Sequence, residues 1–126
     1  MRYLALDVGT RRTGVAFLDS AVGIPLPLDT IHHASEEELI VAALAVVRTR
    51  SIDRVVVGLP LLASGDEGSQ AAVSRKVGSR LASSGITVEY ADERYSSPTG
   101  KDGIPLRKID GDAAAACAIL SQKIDH

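Results

Sequence analysis

The chain has 126 residues, of which 45% are hydrophobic and 24% charged, with a formal net charge of −2. This length favours one domain, and the balance excludes a disordered or fibrous chain. It also excludes a whole-molecule field able to draw in a polyanion, so a nucleic-acid partner needs a local basic surface.

No apolar run is long enough to span a bilayer, and no signal-peptide pattern precedes the first strand; a cytoplasmic protein with no membrane association is expected. Cys117 is the only cysteine, which rules out an intrachain disulfide and predicts a small buried thiol. His32, His33 and His126 fall in an expected loop and at the terminus, a poor basis for a histidine metal site.

In chain order, residues 2–8 (RYLALDV) and 13–19 (TGVAFLD) read as strands, and the short link Gly9–Arg12 makes them an antiparallel hairpin. A third extended segment is expected over 23–31, near an edge because Pro25 and Pro27 cannot donate ladder hydrogen bonds. Ser35 opens a helix, with Glu38 at capping-box spacing and Glu36–Glu38 at the positive end of its dipole. Leu39, Ile40, Ala43, Leu44 and Val47 form its apolar stripe, and Arg48 and Arg50 close it.

Residues 54–58 (RVVVG) are a strand covered on both faces, ended by Gly58-Leu59-Pro60. A second helix spans 69–84, with Val73, Val77 and Leu81 on one side and Gly85 just past its end. Residues 86–91 (ITVEYA) alternate as a fifth strand. The stretch 96–111 is a loop, rich in Gly and Pro, and Asp112 begins a last helix through Ala113–Ala116, Ile119 and Leu120. The order β-β-β-α-β-α-β-α is a meander followed by two crossovers, which predicts a mixed five-stranded α/β sheet.

Three acids stand where such a sheet gathers its chemistry, beyond the carboxyl ends of the parallel strands. Asp7 is near the end of the first strand, Glu93 just after the fifth, and Asp112 at the start of the last helix. If they converge, like charges about 4 Å apart repel by about 4 kcal/mol at an effective dielectric near 20. A divalent cation removes that conflict, and hard oxygen ligands suit Mg²⁺ or Mn²⁺. Each acid also has a structural reading: Asp7 as a turn cap, Asp112 as a helix N-cap, and Glu93 ion-paired with Arg94; Asp110, two residues before Asp112, competes with it but reads better as a solvated loop acid. A basic surface is available after Glu93, where Arg94, Lys101, Arg107 and Lys108 outnumber Asp102.

The sequence Asp7-Val8-Gly9-Thr10-Arg11-Arg12-Thr13-Gly14-Val15-Ala16 resembles the opening of the YqgF/RuvX family of pre-16S rRNA nuclease and Holliday-junction-resolvase-like proteins. Gly58-Leu59-Pro60-Leu61 resembles the family's G-L-P segment, and residues 66–71 (DEGSQA) its acidic loop. Asp92-Glu93-Arg94 with Ser96 and Ser97, and Asp112 before Ala115-Ala116 and Ile119-Leu120, resemble its later motifs, in family order.

This resemblance implies one ribonuclease H-like domain over 1–126, with helices on both faces of the sheet. It implies a hydrolase of the two-metal-ion nuclease type, using Mg²⁺ or Mn²⁺. Asp7, Glu93 and Asp112 would be catalytic and metal-binding, and Arg12 and Arg94 would meet phosphate; Lys101, Arg107 and Lys108, from the basic stretch, are expected to contact nucleic acid beside them. One departure is visible: the family carries a helix between D-E-R and the final Asp, whereas here the interval is short and rich in Gly and Pro.

The expected substrate is precursor 16S rRNA, processed at its 5′ end; branched or single-stranded DNA is the alternative. A junction cutter should be a homodimer, whereas an rRNA processor could work as a monomer. A non-catalytic nucleic-acid-binding module and an actin-like ATPase are the competing classes, the latter disfavoured because it needs two lobes of this kind.

Overall fold

A computed structural model describes residues 1–92 and 111–121. β1 (Arg2–Asp7) and β2 (Arg12–Asp19) form the expected hairpin, in register from Arg2 opposite Asp19 to Asp7 opposite Gly14. The single third strand expected over 23–31 is instead two short strands, β3 (Leu26–Pro27) and β4 (Ile31–His32), each antiparallel to a different part of β2. Proline supplies the reason: Pro25 and Pro27 lack the N–H that a continuous ladder needs. The sheet therefore has six strands rather than five.

α1 (Glu36–Arg50) begins as its sequence predicts. The Ser35 hydroxyl accepts from Glu38 N at 3.2 Å, while the Glu38 carboxylate accepts from Ala34 N rather than from the cap's own N–H. It ends on Ser51 in the left-handed region, φ 53°. β5 (Arg54–Leu59), α2 (Ser69–Ser83), β6 (Thr87–Asp92) and α3 (Gly111–Ser121) complete the order.

The sheet runs β3-β2-β1-β5-β6, with β4 paired to β2 beside this path. β1, β5 and β6 are parallel, so their carboxyl ends share one edge: Leu6 lies opposite Val57, and Leu59 opposite Asp92. Strand alternation sends residues to two cores. Leu4, Leu6, Val8, Val15, Val55 and Val57 pack with α1 and α2 residues such as Leu39, Ala43, Val77 and Leu81. Ala5, Ala16, Leu18, Val56 and Ala91 pack with Ala116, Ile119 and Leu120 of α3.

Helices thus cover both faces, as expected. Full burial of each large aliphatic side chain contributes about 1.5–3 kcal/mol, and β5 contributes Val55, Val56 and Val57, all fully buried. Val73, placed on the buried stripe of α2 by its spacing, is instead 44% exposed. Cys117 is half-buried against the α3 core, where burial raises its thiol pKa. Among the described residues no helix is long and apolar enough to cross a membrane.

Candidate active site

The sequence expectation for the three acids points to the carboxyl edge of β1, β5 and β6. Asp7 ends β1 and is partly buried. By alternation it shares the face of Ala5, and Ala5 belongs to the core covered by α3. Among the described residues no hydrogen bond or ion pair engages its carboxylate, so the turn-cap reading finds no bond to support it. Other acids do find partners: Asp53 accepts from Arg2 N, Glu67 pairs with Arg75, and Glu89 pairs with Arg54.

β6 delivers Asp92 to the same edge, opposite Leu59. Glu93, Arg94, Lys101, Arg107, Lys108 and the competing Asp110 lie outside the described residues. Asp112 stands in the first turn of α3, one residue after the helix begins at Gly111. That helix approaches the sheet through small side chains: Ala113, Ala114 and Ala116 are buried, facing a strand surface that carries Ala5, Ala16 and Ala91. Among the described residues no group of three or more His, Cys, Asp or Glu is placed to hold a metal ion.

The turn after Asp7 is tight for a steric reason. A Cβ on Gly9 would lie 2.2 Å from the Arg12 carbonyl oxygen, so a side chain there would push the hairpin open. Arg11 and Arg12 are exposed at this turn, beside a hollow of about 330 Å³ lined by Gly9, Thr10, Arg11 and Arg12. The start of α2 is tied to the same edge, because Gln70 Nε2 donates to the Val8 carbonyl at 2.8 Å.

Sequence reading missed His33. It is 7% exposed, and its Nε2 lies 2.9 Å from Thr13 Oγ1. Its backbone N–H donates to the Arg11 carbonyl at 2.9 Å. Desolvation pushes its pKa below the ordinary histidine value, Glu38 pulls it back up and His32 adds to the lowering. A wider groove of about 460 Å³ lies between the β3 region and α1, lined by residues including Val15, Leu28, Val46 and Arg50, and holds none of the three candidate acids.

The chain as a whole is similar to known proteins. The sequence profile of the RuvX family, described as Holliday junction resolvase, matches residues 1–126. A protein of Anaeromyxobacter sp. (strain Fw109-5), named as a candidate pre-16S rRNA nuclease, is 36% identical over 99% of this chain and 97% of its own. A protein of the same name from Chloroflexus aurantiacus (strain ATCC 29366 / DSM 635 / J-10-fl) is 39% identical over 97% of this chain and 85% of its own. Among solved structures, Thermus thermophilus RuvC superposes with a TM-score of 0.67 at 14% identity, covering 94% of this chain and 90% of that one. The fold is ribonuclease H-like, and the chain belongs to the RuvX family.

Proposed function

We propose that residues 1–126 form a single nuclease domain that hydrolyses phosphodiester bonds with Asp7, Glu93 and Asp112 and needs Mg²⁺ or Mn²⁺. Its proposed substrate is precursor 16S rRNA, cut at the 5′ end in the cytoplasm. One observation carries this reading: Asp7 stands at the carboxyl end of the central strand, on the α3 side, with its carboxylate unengaged among the described residues. A partly buried carboxylate left without a partner is costly unless a ligand completes it.

The donor set fits a hard divalent cation. In the sequence Glu93 directly follows β6, and Asp112 immediately precedes the buried Ala113. The proposal joins these two to Asp7 as a set of oxygen donors with no histidine. When bound, such ions supply an activated water and charge compensation at the leaving oxygen. The chain's own residues do the rest: the carboxylates fix the site, and Arg12 approaches a backbone phosphate from the turn. Arg94, Lys101, Arg107 and Lys108 hold the nucleic-acid backbone.

Cleavage of a labelled precursor 16S rRNA fragment in Mn²⁺ by wild type and Asp7→Asn tests this reading. Loss of an outer-shell support alone costs 10–100-fold, so removing a ligand should lower the rate by about 10²-fold or more while RNA binding survives. Undiminished cleavage by purified Asp7→Asn would refute the assignment. A second reading, cleavage of a Holliday junction, is favoured by the description of the matching family. It requires a homodimer, because symmetric cuts need two sites; four-way DNA assayed beside RNA, with the mass in solution, separates the two.

A further inference from the structure

The turn that follows Asp7 is not isolated. β4 runs beside it, placing His32 opposite Arg12 and Ile31 opposite Thr13. Arg11, Arg12 and His32 consequently border one groove of about 370 Å³, together with His33, Ala34 and Glu38. Through Arg11 and Arg12 this groove adjoins the hollow over Gly9 and Thr10.

The groove has a built floor. His33 is buried, bonded to Thr13 through Nε2 and to Arg11 through its backbone N–H, and its Nδ1 is buried with no hydrogen-bond partner. A desolvated imidazole with one bare ring nitrogen is costly, which marks this segment as held for something besides stability. Of the acids nearby, Glu38 lines the groove itself, while Glu36 and Glu37 are paired with cations of α2. Glu38 accepts from Ala34 N, Glu36 pairs with Lys76 at 3.4 Å, and Glu37 pairs with Arg80. Among the described residues no ion pair engages Arg11.

We propose that Arg11, Arg12 and His32 form a phosphodiester-binding subsite for nucleic-acid backbone flanking the cleaved bond, positioned by His33 and Thr13. It rests on the nuclease reading above and adds to it. Asp7 lies opposite Gly14, and Arg12 is two residues before Gly14 on β2. Two strand residues advance about 7 Å, which sets Arg12 a step along the hairpin from Asp7, beside a phosphate flanking the one attacked. The groove is open, carries two arginines against one carboxylate and has no aromatic platform, which suits sequence-independent backbone contact rather than base readout.

The test is fluorescence anisotropy of a labelled 12-nucleotide RNA against the full chain, without divalent ions, across a KCl series. Arg11→Gln should weaken binding about 5-fold and reduce the slope of log affinity against log salt by about 0.7, the single-strand value for one lost phosphate contact. Thr13→Val should reduce the slope similarly, and Thr13→Ser, which keeps the hydroxyl, should restore it. An unchanged affinity and slope for Arg11→Gln would overturn the subsite. A wild type that shows this binding behaviour but never cleaves RNA or DNA would sink the nuclease reading and leave the subsite standing.

Discussion

At His33 the imidazole titrates against its own burial, since desolvation is the largest cause of its lowered pKa. The sign follows from linkage. Above the ordinary histidine value, about 6.5, folded and unfolded chains are both neutral here and nothing is lost. Below it the unfolded chain takes up a proton that the folded chain resists, so stability falls with pH. Thermal unfolding of wild type and His33→Gln between pH 7.5 and 5 checks this: the wild-type midpoint should fall more steeply on acidification. Parallel curves would show that His33 carries no such dependence. Nothing in the sequence marked this residue, because β4 is too short to leave a periodic pattern and the neighbouring His32 is exposed. Asp7 was legible for the opposite reason: it ends a strong apolar strand immediately before a glycine turn. The need for Gly9 was legible too, although its cause is the nearness of the Arg12 carbonyl rather than an unusual backbone angle.

α3 is the element on which the active-site proposal leans. It carries Asp112 and packs through Ala113, Ala114, Ala116, Ile119 and Leu120, all nearly fully buried. Small side chains on both helix and strands permit close approach, and added volume has nowhere to go. Ala116→Leu should therefore cost about 1–3 kcal/mol by overpacking and shift the first turn of the helix. The expected result is a thermal midpoint lower by several degrees, with slower cleavage in the fraction that remains folded. A midpoint equal to wild type would show a looser interface than the burial implies. Elements with strong internal patterns were legible from sequence: β1, β2, β5 and α1 differ from expectation by a residue or so at their ends. The segment 23–31 was not, because prolines split its ladder between two short strands. The exposure of Val73 was hidden as well, since helical spacing indicates a face but not how far the neighbouring helix covers it.

Across the whole molecule, the net charge of −2 gives no general attraction for nucleic acid, so binding depends on where the cations stand. The turn arginines provide one such place beside the carboxyl edge. On the proposed convergence of Asp7, Glu93 and Asp112, the metal-free protein carries a repulsion that a divalent cation or protonation of one carboxyl relieves. Binding of the ion and stability of the fold are then coupled. Mn²⁺ titration followed by electron paramagnetic resonance, on wild type and Asp7→Asn without nucleic acid, reads the central claim directly. The account predicts saturable binding by wild type and affinity weakened at least about 10-fold in Asp7→Asn. Equal Mn²⁺ affinity in the two proteins would contradict it.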